Sequence, residues 1–338
     1  IKFLYDFKQN LKPLIYLFCT LCITHFASAD WNFFRGSADM RGVAKTSLKL
    51  PLKLSWDAKI GRSVFATPVV SGGKVFIGNE EGRFVAMDIN DGKIIWEFKT
   101  DDIIEGTACA VGKYVVFGAG DGYLYCLNKV TGKLNWKYET DGEILGGVNL
   151  FKSNSDNKDY ILVGSYDNYM HCVSLETGKP KWKYETQNYV NGAPGISEGK
   201  IYFGGCDAQL YGIKTEDGKV HTTMDAENYI ANSIVVVDSV AYVAHHGNRV
   251  AAFDLKEKKR IWEFGERDFP YFASPAVTKD SVFAAGRDKR LYRINRKTGE
   301  GIWEFKTGSG IESSPVVSGN TVFVGSGDGS LYGVDIKN

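Results

Sequence analysis

Residues 315–335 read PVVSGNTVFVGSGDGSLYGVD. Short apolar stretches (Val316-Val317, Val322-Phe323-Val324 and Leu331-Tyr332-Gly333-Val334) are separated by Gly319-Asn320 and by Asp328-Gly329. Apolar runs of this length, bounded by turn formers, predict β-strands joined by tight hairpins. An Asp-Gly pair suits the turn because a two-residue hairpin needs positive φ, which Gly and Asp tolerate. The same pair position recurs as Glu81-Gly82, Asp121-Gly122, Asp167-Asn168 and Asp207-Ala208, so these residues read first as turn formers. A later turn, at Asp91-Gly92, Thr131-Gly132, Thr177-Gly178, Asp217-Gly218 and Thr298-Gly299, leads into a strand with an aromatic residue or Thr four positions beyond the Gly.

That aromatic position sets the period. Trp56, Trp96, Trp136, Trp182, Trp262 and Trp303 lie 40, 40, 46, 80 and 41 residues apart, and Thr222 divides the long gap in two. Four short strands per unit of about 40 residues are the mark of propeller blades. The six extra residues of the third unit fall in the polar stretch 151–159, which reads as a lengthened turn. Innermost strands are expected at 65–70, 105–111, 145–150, 191–196, 231–236, 272–277 and 312–317, which makes seven blades. The last unit has no fourth strand of its own. Leu52-Lys53-Leu54-Ser55-Trp56 matches Lys93-Ile94-Ile95-Trp96 and is expected to close the seventh blade from the other end of the chain. The fold class is therefore all-β, a seven-bladed β-propeller of four-stranded blades over residues 52–338, preceded by an extension at 30–51.

The first 29 residues follow a different pattern. Lys2, Lys8 and Lys12 precede an apolar run at 14–26, and Ala27-Ser28-Ala29 follows, the three parts of a secretory signal. The run is too short to span a bilayer, so the expectation is an exported protein, periplasmic or secreted, with no transmembrane span. Attachment to the outer membrane through Cys22 is disfavoured by the bulky Leu21 before it. Residues 30–338 carry 38 basic and 39 acidic side chains, a balance that excludes a polyanion such as nucleic acid as partner on charge alone. Cys109, Cys126, Cys172 and Cys206 form no CxxC pair, and no disulfide framework is expected. Cys126 and Cys172 replace Ala or Gly at one repeat position and read as small buried residues, whereas Cys206 replaces a turn Gly and reads as exposed. His245-His246 reads as a solvent-facing turn rather than as a metal site, since no third ligand stands at a usable spacing. No Ser/His/Asp set or phosphate loop emerges.

The segments AMDINDGKIIW (86–96), CLNKVTGKLNW (126–136), CVSLETGKPKW (172–182) and RINRKTGEGIW (293–303) resemble the AxDxxTGxxxW repeat of pyrroloquinoline-quinone (PQQ) type propellers. WNFFRGSADMRGVA (31–44) is similar to the opening of exported proteins carrying that repeat. The resemblance implies that Trp56, Trp96, Trp136, Trp182, Trp262 and Trp303 dock each blade on the Gly of the next; Thr222 and Lys258 depart from the pattern. One branch of the family, the quinoprotein dehydrogenases, implies PQQ with calcium, an adjacent Cys pair and Asp, Asn and Glu around the metal, none of which is visible here. The other branch, cofactor-free exported scaffolds of the BamB type, implies no cofactor, no catalytic or metal-binding residues and a monomer that binds a protein or glycan in the cell envelope. Aligned inner-strand starts place Glu105, Asn191, Phe272 and Glu312 around the channel mouth, with Tyr189 and Tyr229 two residues before that column. These six are the candidate binding residues, because aromatic groups supply contact area and polar groups orient a ligand. The scaffold reading is favoured, with a small PQQ-dependent oxidoreductase as the alternative.

Overall fold

The computed structural model describes residues 30–61 and 63–337. The expected secretory signal and Cys22 lie outside the described residues. Strands follow one another in antiparallel order within seven sheets, here blades 1 to 7, at 69–99, 109–139, 149–185, 195–225, 235–264, 276–306 and 316–335. Blades 1 to 6 have four strands each, and blade 7 has three. The hairpin turns carry the positive φ that their sequences call for, at Gly82, Gly122, Asn168, Ala208 and Gly329.

Burial follows the blades. Second and third strands, such as Tyr114–Gly118 and Tyr123–Asn128, are almost wholly buried, because both faces of each blade pack on a neighbour. Fourth strands alternate exposed and half-buried positions, as in Leu134–Glu139. The apolar core is accordingly divided into layers between successive blades, for example Phe76, Phe84 and Val69 of blade 1 against Val115 and Phe117 of blade 2.

Three expectations are corrected. The inner ladders start about four residues later than the sequence implied, at Val69, Cys109, Asn149, Gly195, Val235, Ala276 and Val316. Pro68, Pro194, Pro275 and Pro315 stand just before four of these starts and have no N–H to donate. The second correction concerns closure. Residues 52–56 form no strand on Leu331–Asp335, and the Leu52 and Leu54 side chains are exposed. Only the Trp end of that segment is engaged: Trp56 donates Nε1–H to the Ile89 carbonyl at 2.8 Å, and Trp56 and Ile60 cover Val75, Val85 and Met87 of blade 1. Side-chain docking on blade 1, rather than a backbone ladder on blade 7, holds this segment. The third correction is to His245, which is buried at the end of a strand and accepts the Gly247 N–H through Nδ1 at 3.1 Å, not a solvent-facing residue.

The extension before blade 1 has a definite path. Residues 31–42 run once around the far end of the channel and accept an N–H from one inner strand after another. Val70 donates to Trp31, Ala110 to Asn32, Ile196 to Ala38, Val236 to Asp39, Val277 to Arg41 and Val317 to Gly42. Blade 3 contributes through its side chain, Asn149 Nδ2 donating to Ala38 at 2.9 Å. Inner strands have a sheet partner on one side only, so this thread satisfies the channel-facing backbone that would otherwise be left unpaired.

Candidate binding site in the blade channel

With the thread closing one end, the channel is a cavity of about 590 Å³ that opens at the starts of the inner strands. Trp31, Phe34 and Arg35 of the thread form its floor, and Glu105, Asn191, Phe272 and Glu312 line it together with Phe65 and Leu145. The sequence column therefore meets in space. Tyr189 and Tyr229 do not line the cavity and instead stand exposed beside its mouth.

The mouth is organised by ring contacts and one ion pair. Tyr229 meets the His246 ring edge-on at 6.3 Å, and His246 meets Phe272 edge-on at 4.6 Å. The Arg287 guanidinium lies 4.0 Å from the Phe272 centroid and pairs with Glu312, Nη2 to Oε1 at 2.6 Å. On the other side Tyr189 stacks on Tyr166 with centroids 4.6 Å apart and planes within 3°. Partial burial, then Glu80 and Glu143, push the Glu105 carboxyl above its ordinary range. Burial, then Arg287, pulls His246 down, which favours the neutral imidazole. The mouth thus presents half-exposed aromatic groups beside fixed polar ones, an arrangement suited to a large partner surface.

The family model described as outer membrane protein assembly factor BamB matches residues 53–185, 147–266 and 246–338. The chain belongs to that family. Among solved structures, BamB from Moraxella catarrhalis superposes with a TM-score of 0.71 at 18% identity, covering 82% of this chain and 84% of that one. Quinohemoprotein alcohol dehydrogenase from Comamonas testosteroni superposes with a TM-score of 0.75 at 15% identity, covering 91% of this chain and 72% of that one. Both likenesses are of fold. A quinoprotein ethanol dehydrogenase of Pseudomonas putida is 40% identical over 72 residues, 21% of this chain and 11% of the dehydrogenase. The matched stretch thus spans about a tenth of that relative's length.

The repeat that places the chain in the BamB family also sets its blade docking. Trp96, Trp136, Trp182, Trp262 and Trp303 donate Nε1–H to Lys129, Leu175, Thr215, Arg296 and Ile336 carbonyls at 2.9 to 3.3 Å, as Trp56 does to Ile89. Of the six rings Trp262 is buried and the others are half-buried, less enclosed than ordinary core aromatics. Turn acids carry a second duty: Asp121, Asp207 and Asp328 accept the hydroxyl of the Tyr four residues on, at 2.7, 2.6 and 2.8 Å. Cys126 and Cys172 are buried as small residues; burial pushes the Cys126 thiol up to about 12 and Cys172 up as well. Cys206 is half-buried. Sequence reasoning missed Arg287 and Tyr166, which sit at hairpin tips, read His246 only as a turn residue, and missed Arg35, whose only signal was the FRG of the opening motif.

Proposed function

We propose that this chain is an exported, non-catalytic scaffold of the cell envelope that captures a protein partner at the mouth of its channel. The observation that carries the reading is the mouth itself. Tyr189 and Tyr229 are 45% and 53% exposed, and Phe65, elsewhere on the mouth, is 64% exposed. Large aromatic groups held rigidly at a surface are the usual anchors of protein interfaces. Membership of the BamB family and likeness to a BamB structure support an envelope scaffold. No helix among the described residues is long and apolar enough to cross a membrane.

The quinoprotein relatives raise the alternative of PQQ with calcium. The donor chemistry of the channel does not fit that pair. Glu312 is committed to Arg287, Asn191 and Glu105 stand on different blades, and among the described residues no three His, Cys, Asp or Glu side chains converge. The described cysteines are free, and no two are neighbours in sequence. A glycan ligand has less support than a protein, since the exposed rings are spread around the mouth rather than paired as a platform within the cavity.

The test compares the native chain with Tyr189→Ala/Tyr229→Ala/Phe272→Ala in cross-linking to a cell-envelope extract. Partner yield should fall tenfold or more with an unchanged unfolding midpoint, since aromatic anchors each contribute about 2 kcal/mol or more. Equal capture by the triple variant would move the site off the mouth, and saturable PQQ binding with dye-linked alcohol oxidation would overturn the scaffold reading.

A further inference from the structure

The cavity floor carries a charge that the fold leaves unanswered. Arg35 is 2% exposed, and its Nη2 donates to the Pro275 carbonyl at 2.9 Å. Its Nε and Nη1 have no hydrogen-bond partner among the described residues, although both are buried. Phe34 packs beside it, with the guanidinium 5.9 Å from the ring centroid. Burial pulls the group down to about 9, still above neutral pH, so it stays cationic. A buried cation without a counter-charge is among the least favourable arrangements in a protein.

The backbone is arranged to keep it there. Arg35 adopts φ 63°, a left-handed conformation that side chains other than Gly seldom take. A Cβ on Gly42 would stand 2.0 Å from Nη2, so the thread needs Gly at 42 to let the guanidinium pass.

Further donors face the same space. Ser233, Ser274 and Ser314 line the cavity, and each Oγ accepts the N–H of the preceding blade, from Ala193, Ser233 and Ser274 at 2.9 to 3.0 Å. A hydroxyl that accepts in this way keeps its own proton free to donate. The Asn232 side chain lines the cavity too, giving its amide N–H groups to Ala244 and Tyr271 carbonyls and leaving Oδ1 unpaired. The two carboxylates of the cavity do not neutralise Arg35: Glu312 pairs with Arg287, and Glu105 stands at the mouth.

We propose that the floor of the channel is a receptor for a compact anionic group, a carboxylate or phosphate, which Arg35 and the serine hydroxyls bind inside the ring. The ligand's charge answers the orphaned guanidinium through charge-assisted bonds at the closed end of the channel. Asn232 Oδ1 adds an acceptor for a hydroxyl or amine borne on the same ligand. The cation comes from the thread rather than from a blade, so the site stands whether or not the aromatic mouth captures a protein. A free ion and a ligand-borne carboxylate share this chemistry, and the test separates them.

The probes are inorganic phosphate and succinate, titrated up to about 50 mM at ionic strength held constant with chloride, a ceiling that detects millimolar affinity. The readouts are the Arg35 Nε–H resonance, assigned by its loss in Arg35→Lys, and the unfolding temperature. Saturable displacement of that resonance is expected, with a rise of roughly 2 °C or more at saturation. Response to phosphate alone would assign a free ion, and tighter succinate binding a ligand-borne carboxylate. Arg35→Met should abolish the thermal response; if it does not fold, Arg35→Lys takes its place and should weaken binding at least tenfold. An unmoved resonance with both probes, or an undiminished thermal response in the variants, would overturn the proposal.

Discussion

Glu216 shows how much a single side chain can hold at the surface of a propeller. Its carboxylate accepts Ser153 Oγ and Ser155 Oγ at 2.8 Å, the Asn154 N–H at 2.7 Å and Lys181 Nζ at 3.1 Å. The long turn of blade 3 is thereby fixed to blade 4. Desolvation raises its pKa, but the hydrogen bonds outweigh it and hold the group down at about 2. A carboxyl depressed on folding contributes stability above its unfolded pKa, and that contribution is lost as pH falls through the folded value. Glu216→Gln should therefore lower the urea midpoint at pH 7, and the deficit should shrink between about pH 4.5 and pH 2. A deficit that stays constant across that range would show that the clamp does not depend on charge. The turn itself was legible from its polar composition, but its clamp was not, because Glu216 lies 61 to 63 residues from its partners in that turn and 35 from Lys181, and belongs to no local pattern.

Between elements, the docking of each Trp on the next blade explains why two departures from the repeat occur together. A Cβ on Gly92, Gly132, Gly178, Gly218 or Gly299 would stand 2.4 to 2.8 Å from the ring of Trp56, Trp96, Trp136, Trp182 or Trp262. Where Thr222 replaces Trp there is no ring to meet, and Lys258, at φ 54°, occupies the corresponding turn of blade 5. The sequence made each substitution visible but not their coupling, which needs the facing geometry of blades 4 and 5. Gly132→Ala should cost about 1–3 kcal/mol, because ring contact and positive φ both oppose it. Lys258→Gly should instead gain up to about 1 kcal/mol by relieving the left-handed turn. Urea unfolding with unchanged m-values checks both, and equal signs at the two sites would refute the docking account.

At the scale of the whole molecule, the repeat announced seven blades because its signals, turn pairs and a period near 40, are local. The meeting of Glu105, Asn191, Phe272 and Glu312 in the channel was legible for the same reason. The seam and thread were not: residues 31–47 have no helical or strand period and their bonds run to every blade, while 52–56 carry a strand-like alternation that the fold does not use as a strand. Deleting residues 30–56 should leave six inner strands with an unanswered N–H, uncover the floor and strip Trp56 and the start of the seam from blade 1. Solubility should fall and the unfolding midpoint should drop to lower urea, and an unchanged midpoint would mean that the seven blades close without the thread.

The thread also bears on the order of events in folding. Leu48 bonds to Ser318 across 270 residues, and Arg35 bonds to Pro275 across 240. These are among the highest sequence separations a chain of this length can hold, in a fold whose other hydrogen bonds are mostly within a blade. Contacts of such high order form late, since loop closure is costly until intervening blades are compact. Residues 31–44 leave the ribosome early yet find their last partners only after residues 316–318 have been made. Until then Gly42, Val43 and Ala44 remain without their partner Val317, which makes one of the first segments to be synthesised the last to be protected, and the one a nascent-chain chaperone has the longest time to hold.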